Sequence, residues 1–61
     1  MAWVATDQNE EEWVYVDVPV RGDTAWYLEE GDYIELPKGS IKKLIGRDLT
    51  WDDEPIELKE N

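Results

Sequence analysis

The chain has 61 residues, and its 16 acidic against 6 basic residues give a formal net charge of −10. Such a charge on so small a protein argues against direct binding to nucleic acid or to an anionic membrane surface, because both attract cations. Since the sequence contains no cysteine and no histidine, disulfides and a zinc site are excluded as well.

The length predicts one domain over residues 1–61 with a small core. Such a core supplies only ~3–5 kcal/mol, so a partner or homo-oligomerisation is a further source of stability. Four tryptophans and three tyrosines, with no phenylalanine, are expected to carry much of the burial. No apolar run approaches the ~20 residues that cross a bilayer, and Met1–Thr6 followed by Asp7 is not a signal peptide. We therefore expect a soluble, cytoplasmic protein.

The first half of the chain is predicted to consist of strands. Trp3–Thr6 is expected to be a short edge strand, followed by a polar connection. Glu12–Val20 alternates, with its valines on one face and Trp13 and Tyr15 on the other, and predicts the clearest strand. Ala25–Leu36 predicts a hairpin that turns at Glu30-Gly31-Asp32.

The stretch Tyr33–Gly46 predicts a strand, a turn and a short helix. Pro37 ends the strand because it cannot donate to a ladder. Ser40 is expected to be the N-cap and Gly46 the residue that closes the helix. The apolar positions between them lie on one helical face, at Ile41, Leu44 and Ile45. A helix this short is not stable alone, so it must pack onto a sheet.

The C-terminal part predicts a capped turn and one more strand. Thr50 with Asp53 predicts the cap of a single helical turn, Ile56–Lys59 predicts a short strand, and residues 60–61 are expected to fray. The predicted fold class is mostly β with minor α content. It is either a small, curved antiparallel sheet or an SH3- or OB-like barrel, with four to five short strands and one short helix near residues 40–46.

The sequence offers little for catalysis or metal binding. Without histidine or cysteine, no hydroxyl has an evident base beside it, and so small a fold has no room for a deep cleft that desolvates a carboxylate. Asp7–Glu11 begins like a calcium loop, but Glu12 replaces the glycine and Val18 the glutamate that such a loop requires. We expect no enzyme activity, no cofactor and no metal site.

Charge is segregated along the chain. Pro37–Arg47 holds four of the six basic residues and no acidic one, whereas all 16 acidic residues lie elsewhere. Favourable interaction of cations with the helix C-terminus explains this pattern. The alternative is a two-ended molecule that docks through both signs.

Acidic residues also form three short rows with aromatic residues nearby, namely Glu10–Glu12, Glu29–Asp32 and Asp52–Glu54. Such rows on a compact body can occupy a Lys/Arg channel that normally holds DNA, with aromatic side chains as anchors. Simple solubility explains the charge, and core packing explains the aromatic residues, as the alternative. The candidate partner-binding residues are Glu10, Glu11, Glu12, Glu29, Glu30, Asp32, Tyr33, Trp51, Asp52, Asp53 and Glu54.

The run Ile34–Leu58, IELPKGSIKKLIGRDLTWDDEPIEL, together with the opening AWVATD, resembles small acidic proteins of phage or prophage-type gene clusters. That resemblance implies a non-enzymatic inhibitor of a basic, nucleic-acid-handling or defence protein in the host cytoplasm, and it assigns no role to any residue. One alternative is a structural module that self-associates through a strand edge or its charged ends. Another is a small-ligand or nucleotide sponge, which needs a basic pocket near Lys38, Lys42 and Arg47.

Overall fold

The computed structural model describes residues 2–59, which form two antiparallel sheets and one short helix. The main sheet has the strand order β5-β2-β1-β6, and β3 and β4 form a separate two-stranded sheet. The mostly-β prediction with one short helix is confirmed, and the described strands do not close into a barrel. The elements are β1 (Trp3–Thr6), β2 (Glu12–Tyr15), β3 (Val20–Arg21), β4 (Trp26–Tyr27), β5 (Tyr33–Leu36), α1 (Ser40–Ile45) and β6 (Ile56–Glu57).

Strand β1 lies in the interior of the main sheet. It pairs with β2 on one side and with β6 on the other, so the prediction of an edge strand is wrong. Val4 and Ala5 are fully buried, which explains why this strand carries no charge. Its place near the start of the chain gave no sign of its place in the sheet, because pairing with β6 joins opposite ends of the sequence.

The two faces of the main sheet pack against different layers. On one face, Val4 forms a buried cluster with Ile41 of α1 and with Leu49. On the other face, Ala5 and Tyr15 cluster with Trp26 of β4, and partly buried aromatic residues surround them. Since neighbouring residues of a strand point to opposite faces, β1 and β2 contribute to both clusters. The sheet is thus covered by the helix on one side and by the β3–β4 hairpin on the other.

Strand β2 ends at Tyr15, so the predicted strand Glu12–Val20 is too long. The chain bends after Tyr15, where Asp17 Oδ1 accepts the backbone N–H of Val18 at 2.8 Å. Such a local bond competes with ladder hydrogen bonds, and Pro19 has no N–H to offer a ladder. Because Val20 begins β3 in the other sheet, the valines beyond Tyr15 do not continue the face of Val14. Three of them are largely exposed, namely Val16, Val18 and Val20.

The predicted hairpin Ala25–Leu36 is also wrong. Strand β4 pairs with β3, in a hairpin closed by a hydrogen bond from Gly22 N–H to Ala25 O of 2.9 Å. Any Cβ at Gly22 would lie 2.6 Å from that carbonyl oxygen, so this turn requires glycine. Strand β5 pairs with β2 instead. Local turn residues did not reveal these partners because both choices were compatible with antiparallel pairing.

Helix α1 forms where it was predicted, but its N-terminus is built differently. Gly39, with φ of 90°, occupies the N-cap position, and Ser40 Oγ donates to Pro37 O at 2.6 Å. The Ser40 cap is therefore wrong by one residue. The side chain that caps the helix comes from β2, because the Glu12 carboxylate accepts the N–H groups of Gly39 at 2.8 Å and Ile41 at 2.9 Å. At the other end Gly46, with φ of 82°, closes the helix as predicted.

The C-terminal segment contains the predicted capped turn. Asp53 Oδ2 accepts the Thr50 N–H at 2.9 Å and the Thr50 Oγ1–H at 3.2 Å, and Asp53 N–H donates to Thr50 O at 3.0 Å. The following strand covers only Ile56–Glu57, so the predicted strand Ile56–Lys59 is too long. The prediction for residues 60–61 lies outside the described residues. No helix within residues 2–59 is long and apolar enough to cross a membrane.

Candidate functional site

An acidic groove of about 630 Å³ runs between the β1–β2 connection, the turn before α1 and the loop after it. Leu49 and Trp51 contribute to its wall. Five carboxylates and one amine line it, a formal charge of −4. These charged residues are Asp7, Glu10, Glu12, Lys38, Asp48 and Asp52.

The groove brings together four of the predicted partner-binding residues, namely Glu10, Glu12, Trp51 and Asp52. Glu12 is committed to capping α1, as described above. The Glu10 carboxylate lies 3.8 Å from the Lys38 amine, and both side chains are more than three-quarters exposed. An exposed pair of this length contributes little to stability, so both charges stay available to a partner.

The other predicted acidic residues lie apart from the groove. Asp32 O accepts the N–H of Val16 at 3.1 Å, which places Glu29, Glu30 and Asp32 near the end of β2 opposite to Glu12. Asp53 caps the Thr50 turn. Glu54 pairs with a guanidinium at 3.4 Å. The Glu29–Asp32 row therefore stays apart, whereas the rows Glu10–Glu12 and Asp52–Glu54 meet through Glu10, Glu12 and Asp52 in the groove.

Trp51 packs edge to face against Trp26, with ring centroids 5.8 Å apart, and a cation lies over both indoles. The Arg21 guanidinium carbon lies 4.3 Å from the ring centroid of Trp26 and 4.5 Å from that of Trp51. Arg21 also donates to Trp51 O at 2.8 Å and to Asp53 O at 3.4 Å, and pairs with Glu54. Cation–π contact with a desolvated ring stabilises such an arrangement. Sequence reasoning missed this residue because it placed Arg21 only in a turn.

A second concavity, the aromatic cleft, has a volume of about 360 Å³ and lies between the β2 face of the main sheet and strand β4. Trp13 and Tyr33 pack edge to face with ring centroids 5.7 Å apart, and Tyr15 and Tyr33 are 6.0 Å apart. Tyr33 is 55% exposed, so its ring borders solvent at the mouth. Five aromatic side chains line the cleft, namely Trp13, Tyr15, Trp26, Tyr27 and Tyr33.

Asp7 borders both concavities and is almost completely buried, with 5% of its surface exposed. Its Oδ1 accepts the N–H of Trp26 at 2.9 Å. Burial raises the pKa of the Asp7 carboxyl, the Trp26 N–H opposes that rise, and the nearby charge of Glu11 adds to it. The indole N–H of Trp13 also lowers this pKa slightly, although it does not reach hydrogen-bond geometry. The Asp7 carboxylate is therefore buried, and its polar contacts offset only part of the cost of burying its charge.

Tyr15 forms the floor of the aromatic cleft as a neutral phenol. Burial is the main reason that the pKa of Tyr15 is raised well above its usual range, and the charges of Asp7 and Tyr33 add to the effect. Its hydroxyl points to Trp26 O at 3.5 Å. Tyr15 therefore supplies a ring and a weakly engaged O–H, and it does not act as a base near neutral pH.

Sequence reasoning missed Asp7 and Asp48 as parts of an acidic site, and it placed Lys38 in a candidate basic pocket, whereas Lys38 lines the acidic groove. Asp7 and Asp48 meet only through folding, and nothing in the local pattern distinguishes them from other carboxylates. Asp7 does stand directly after the buried end of β1, and that position was the one available signal. Within residues 2–59 no group of three or more acidic side chains is arranged to hold a metal ion. No family model, curated protein or solved structure matches the chain.

Proposed function

We propose that the protein is a non-enzymatic binding module that inhibits or modulates a basic, nucleic-acid-handling or defence protein of a host cell. This is the phage-type role that the sequence resemblance implies. The observation that carries the proposal is the acidic groove, in which carboxylates from two segments distant in the sequence line one concavity. Evenly scattered carboxylates would keep the protein in solution but would not gather in one groove.

The groove has the chemistry that a basic surface requires. Its formal charge of −4 attracts lysine and arginine side chains, and charge complementarity of this kind raises the association rate and the specificity. Glu10, Asp48 and Asp52 are exposed at its rim, where they can reach a partner. Trp51 in the wall adds an aromatic surface of the kind that interfaces use as an anchor.

Lys38 serves as a weakly held internal counterion of the groove. Its amine is 3.8 Å from Glu10 and 76% of its side chain is exposed. A cation of the partner can take its place at small cost, because exposed pairs contribute only ~0–1 kcal/mol. Replacing Lys38 by alanine should therefore tighten binding, whereas Lys42→Ala, an equal change of charge on the helix, should have a smaller effect.

The test compares two triple variants that lose the same charge. The groove variant is Glu10→Gln, Asp48→Asn and Asp52→Asn, and the control is Glu29→Gln, Glu30→Gln and Asp32→Asn. The probes are purified, basic DNA-binding enzymes and, for comparison, lysozyme, which is basic but handles no nucleic acid. Titration calorimetry at several salt concentrations measures affinity, and a short DNA duplex serves as competitor.

We expect the groove variant to bind a DNA-binding enzyme at least about tenfold more weakly and with a shallower salt dependence, since fewer ion pairs form. The control variant should lose less affinity for the same enzyme. Equal losses in both variants would show that net charge alone drives binding. Lack of binding to every basic enzyme, or equal binding to lysozyme, would overturn the proposal.

A second candidate function, self-association, is favoured by the free edge of β5. This strand pairs with β2 on one side only, and Ile34 on it is 66% exposed. Exposed strand edges pair readily with a second strand. Sedimentation at micromolar concentration tests this alternative. A dimer that strengthens with salt and is lost in Ile34→Lys would support it, and a monomer at all salt concentrations would exclude it.

A further inference from the structure

The aromatic cleft combines ring faces with a buried carboxylate that has no cationic partner among residues 2–59. Asp7 and Glu11 line it together with the aromatic side chains, and none of the lining residues is a lysine or arginine. Asp7 is 5% exposed, and of its two oxygens only Oδ1 accepts a hydrogen bond from the described residues. A cation beside so enclosed a carboxylate is favourable, and the open side of the cleft gives room for one from outside the chain.

We propose that the aromatic cleft is a binding site for an arginine side chain of the partner, with Asp7 and Glu11 as its counter-charges and Trp13 and Tyr33 as its stacking surfaces. A planar guanidinium can pair with a carboxylate and stack on aromatic rings at the same time, which a lysine amine does less well. The identity of the ligand as a partner's side chain rests on the proposed function. The site itself rests only on the cleft.

The molecule already contains one example of this chemistry. The Arg21 guanidinium lies over two indoles, as described above, and one of them, Trp26, also borders the cleft. Arg21 is not available to the cleft carboxylates, because its guanidinium donates to Trp51 O and pairs with Glu54. The indole-rich side of the sheet thus binds one guanidinium of the chain itself, and the cleft next to Asp7 is lined by indoles and phenols without a lysine or arginine.

Position also favours a ligand that arrives from solution. Glu11 and Tyr33 are exposed, whereas Asp7 and Tyr15 are buried. A long side chain can therefore enter past Glu11 and Tyr33 and bring its charged end toward Asp7. The acidic groove borders Asp7 as well, so a basic partner seated in the groove has an arginine side chain within reach of the cleft.

The test uses capped tripeptides, acetyl-Gly-Arg-Gly-amide and its counterpart with citrulline, the neutral isostere of arginine. Two-dimensional NMR follows the four indole N–H signals of the intact protein, with the Trp13 signal as the reporter. We expect the arginine peptide to shift that signal with a Kd on the order of 1 mM, and the citrulline peptide to bind at least about tenfold more weakly, because a charge-assisted bond is lost.

Variants locate the site. Glu11→Gln, at an exposed position, should weaken arginine binding about threefold, whereas Glu29→Gln, an equal change outside the cleft, should leave it unchanged. Tyr33→Leu should weaken it about fivefold through the lost ring, provided that the remaining indole signals keep their positions. Equal binding of both peptides, or equal effects of Glu11→Gln and Glu29→Gln, would overturn the inference.

Failure here is distinguishable from failure of the proposed function. The peptide titration contains no macromolecular partner, so it reports on the cleft alone. If the groove variants abolish binding to a basic enzyme but the arginine peptide does not bind, the proposed function stands and the cleft site is wrong. If the peptide binds but no basic enzyme does, the cleft site stands and the proposed function is wrong.

Discussion

The two faces of the main sheet are made from alternate residues of the same strands, yet they are closed in different ways. On the helix face, aliphatic side chains around Val4, Ile41 and Leu49 form a cluster that α1 covers. On the hairpin face, Tyr15 and Trp26 pack among further indoles, and a cleft remains open beside Asp7. Aliphatic packing is non-directional and fills space from any side. Aromatic packing prefers particular ring orientations and brings polar atoms that need partners.

This difference separates aliphatic packing from buried polar contacts. The helix face holds the most deeply buried aliphatic side chains, Val4 and Ile41. The hairpin face holds Asp7, Arg21 over its two indoles and the aromatic cleft, so the buried polar contacts are concentrated there. Changes on the helix face should therefore act on the folding equilibrium as a whole, whereas changes on the hairpin face should act on specific polar contacts.

The largest effect is expected at Ile41, which is 2% exposed and central to the helix face. Ile41→Ala should lower the free energy of unfolding by about 2–4 kcal/mol, because it leaves a cavity where the helix meets the sheet. A domain of this size has only ~3–5 kcal/mol in total, so much of this variant should be unfolded. Urea titration followed by circular dichroism measures the change.

Leu44→Ala on the same helix is the matched control. Leu44 is 54% exposed, and a surface substitution should change the free energy of unfolding by less than about 0.5 kcal/mol. Similar losses in the two variants would mean that α1 does not cover the sheet through Ile41.

The next largest effect is expected at Arg21 on the hairpin face. Arg21→Met keeps an apolar stem beside the two indoles but removes the cation–π contacts and the hydrogen bonds to residues 51–54. We expect a loss of about 1–2 kcal/mol and a change in the near-ultraviolet circular dichroism of the tryptophans. Arg47→Met, which removes an exposed guanidinium, should change neither the free energy of unfolding nor the near-ultraviolet spectrum. An unchanged spectrum in Arg21→Met would show that the charge is dispensable for indole packing.

A smaller effect is expected at Glu12, which connects β2 to the start of the helix. Glu12→Gln leaves one acceptor oxygen for the two N–H groups of Gly39 and Ile41, so we expect a loss of about 1 kcal/mol and faster hydrogen exchange at those two amides. Glu35→Gln, an exposed neighbour on β5, should affect neither quantity. Unaltered exchange in Glu12→Gln would exclude a capping role.

The sequence predicted what is local and failed where distant segments meet. Alternation identified β5, the short uncharged run Trp3–Thr6 indicated β1, and helical spacing with Gly46 identified α1. The strand beyond Tyr15 was overestimated because the Val16–Val20 alternation is compatible with both a strand and a bend, and Asp17 and Pro19 decide for the bend. The acidic groove was predicted only in part, since Glu10 and Asp52 were expected to act but their contact with Asp7 and Asp48 depends on the folded chain.

The smallest effect, and the most specific to the hairpin face, is expected from the titration of Asp7. Its pKa in the folded protein is raised above the ordinary value of 3.8, so the folded state holds this proton more tightly than the unfolded state does. The stability that Asp7 contributes is therefore fully present below that ordinary value and is lost as the pH rises through the raised pKa.

Asp7→Asn keeps an acceptor for the Trp26 N–H and removes the charge. We expect it to be more stable than the natural protein at neutral pH, with an advantage that shrinks as the pH falls through that window. Urea titrations of both proteins across the window measure this advantage, and Glu11→Gln, which removes a charge that raises the Asp7 pKa, should move its midpoint to lower pH. If Asp7→Asn is less stable at neutral pH, Asp7 is fully compensated within the fold, and the hairpin face has no charge left for a ligand to neutralise.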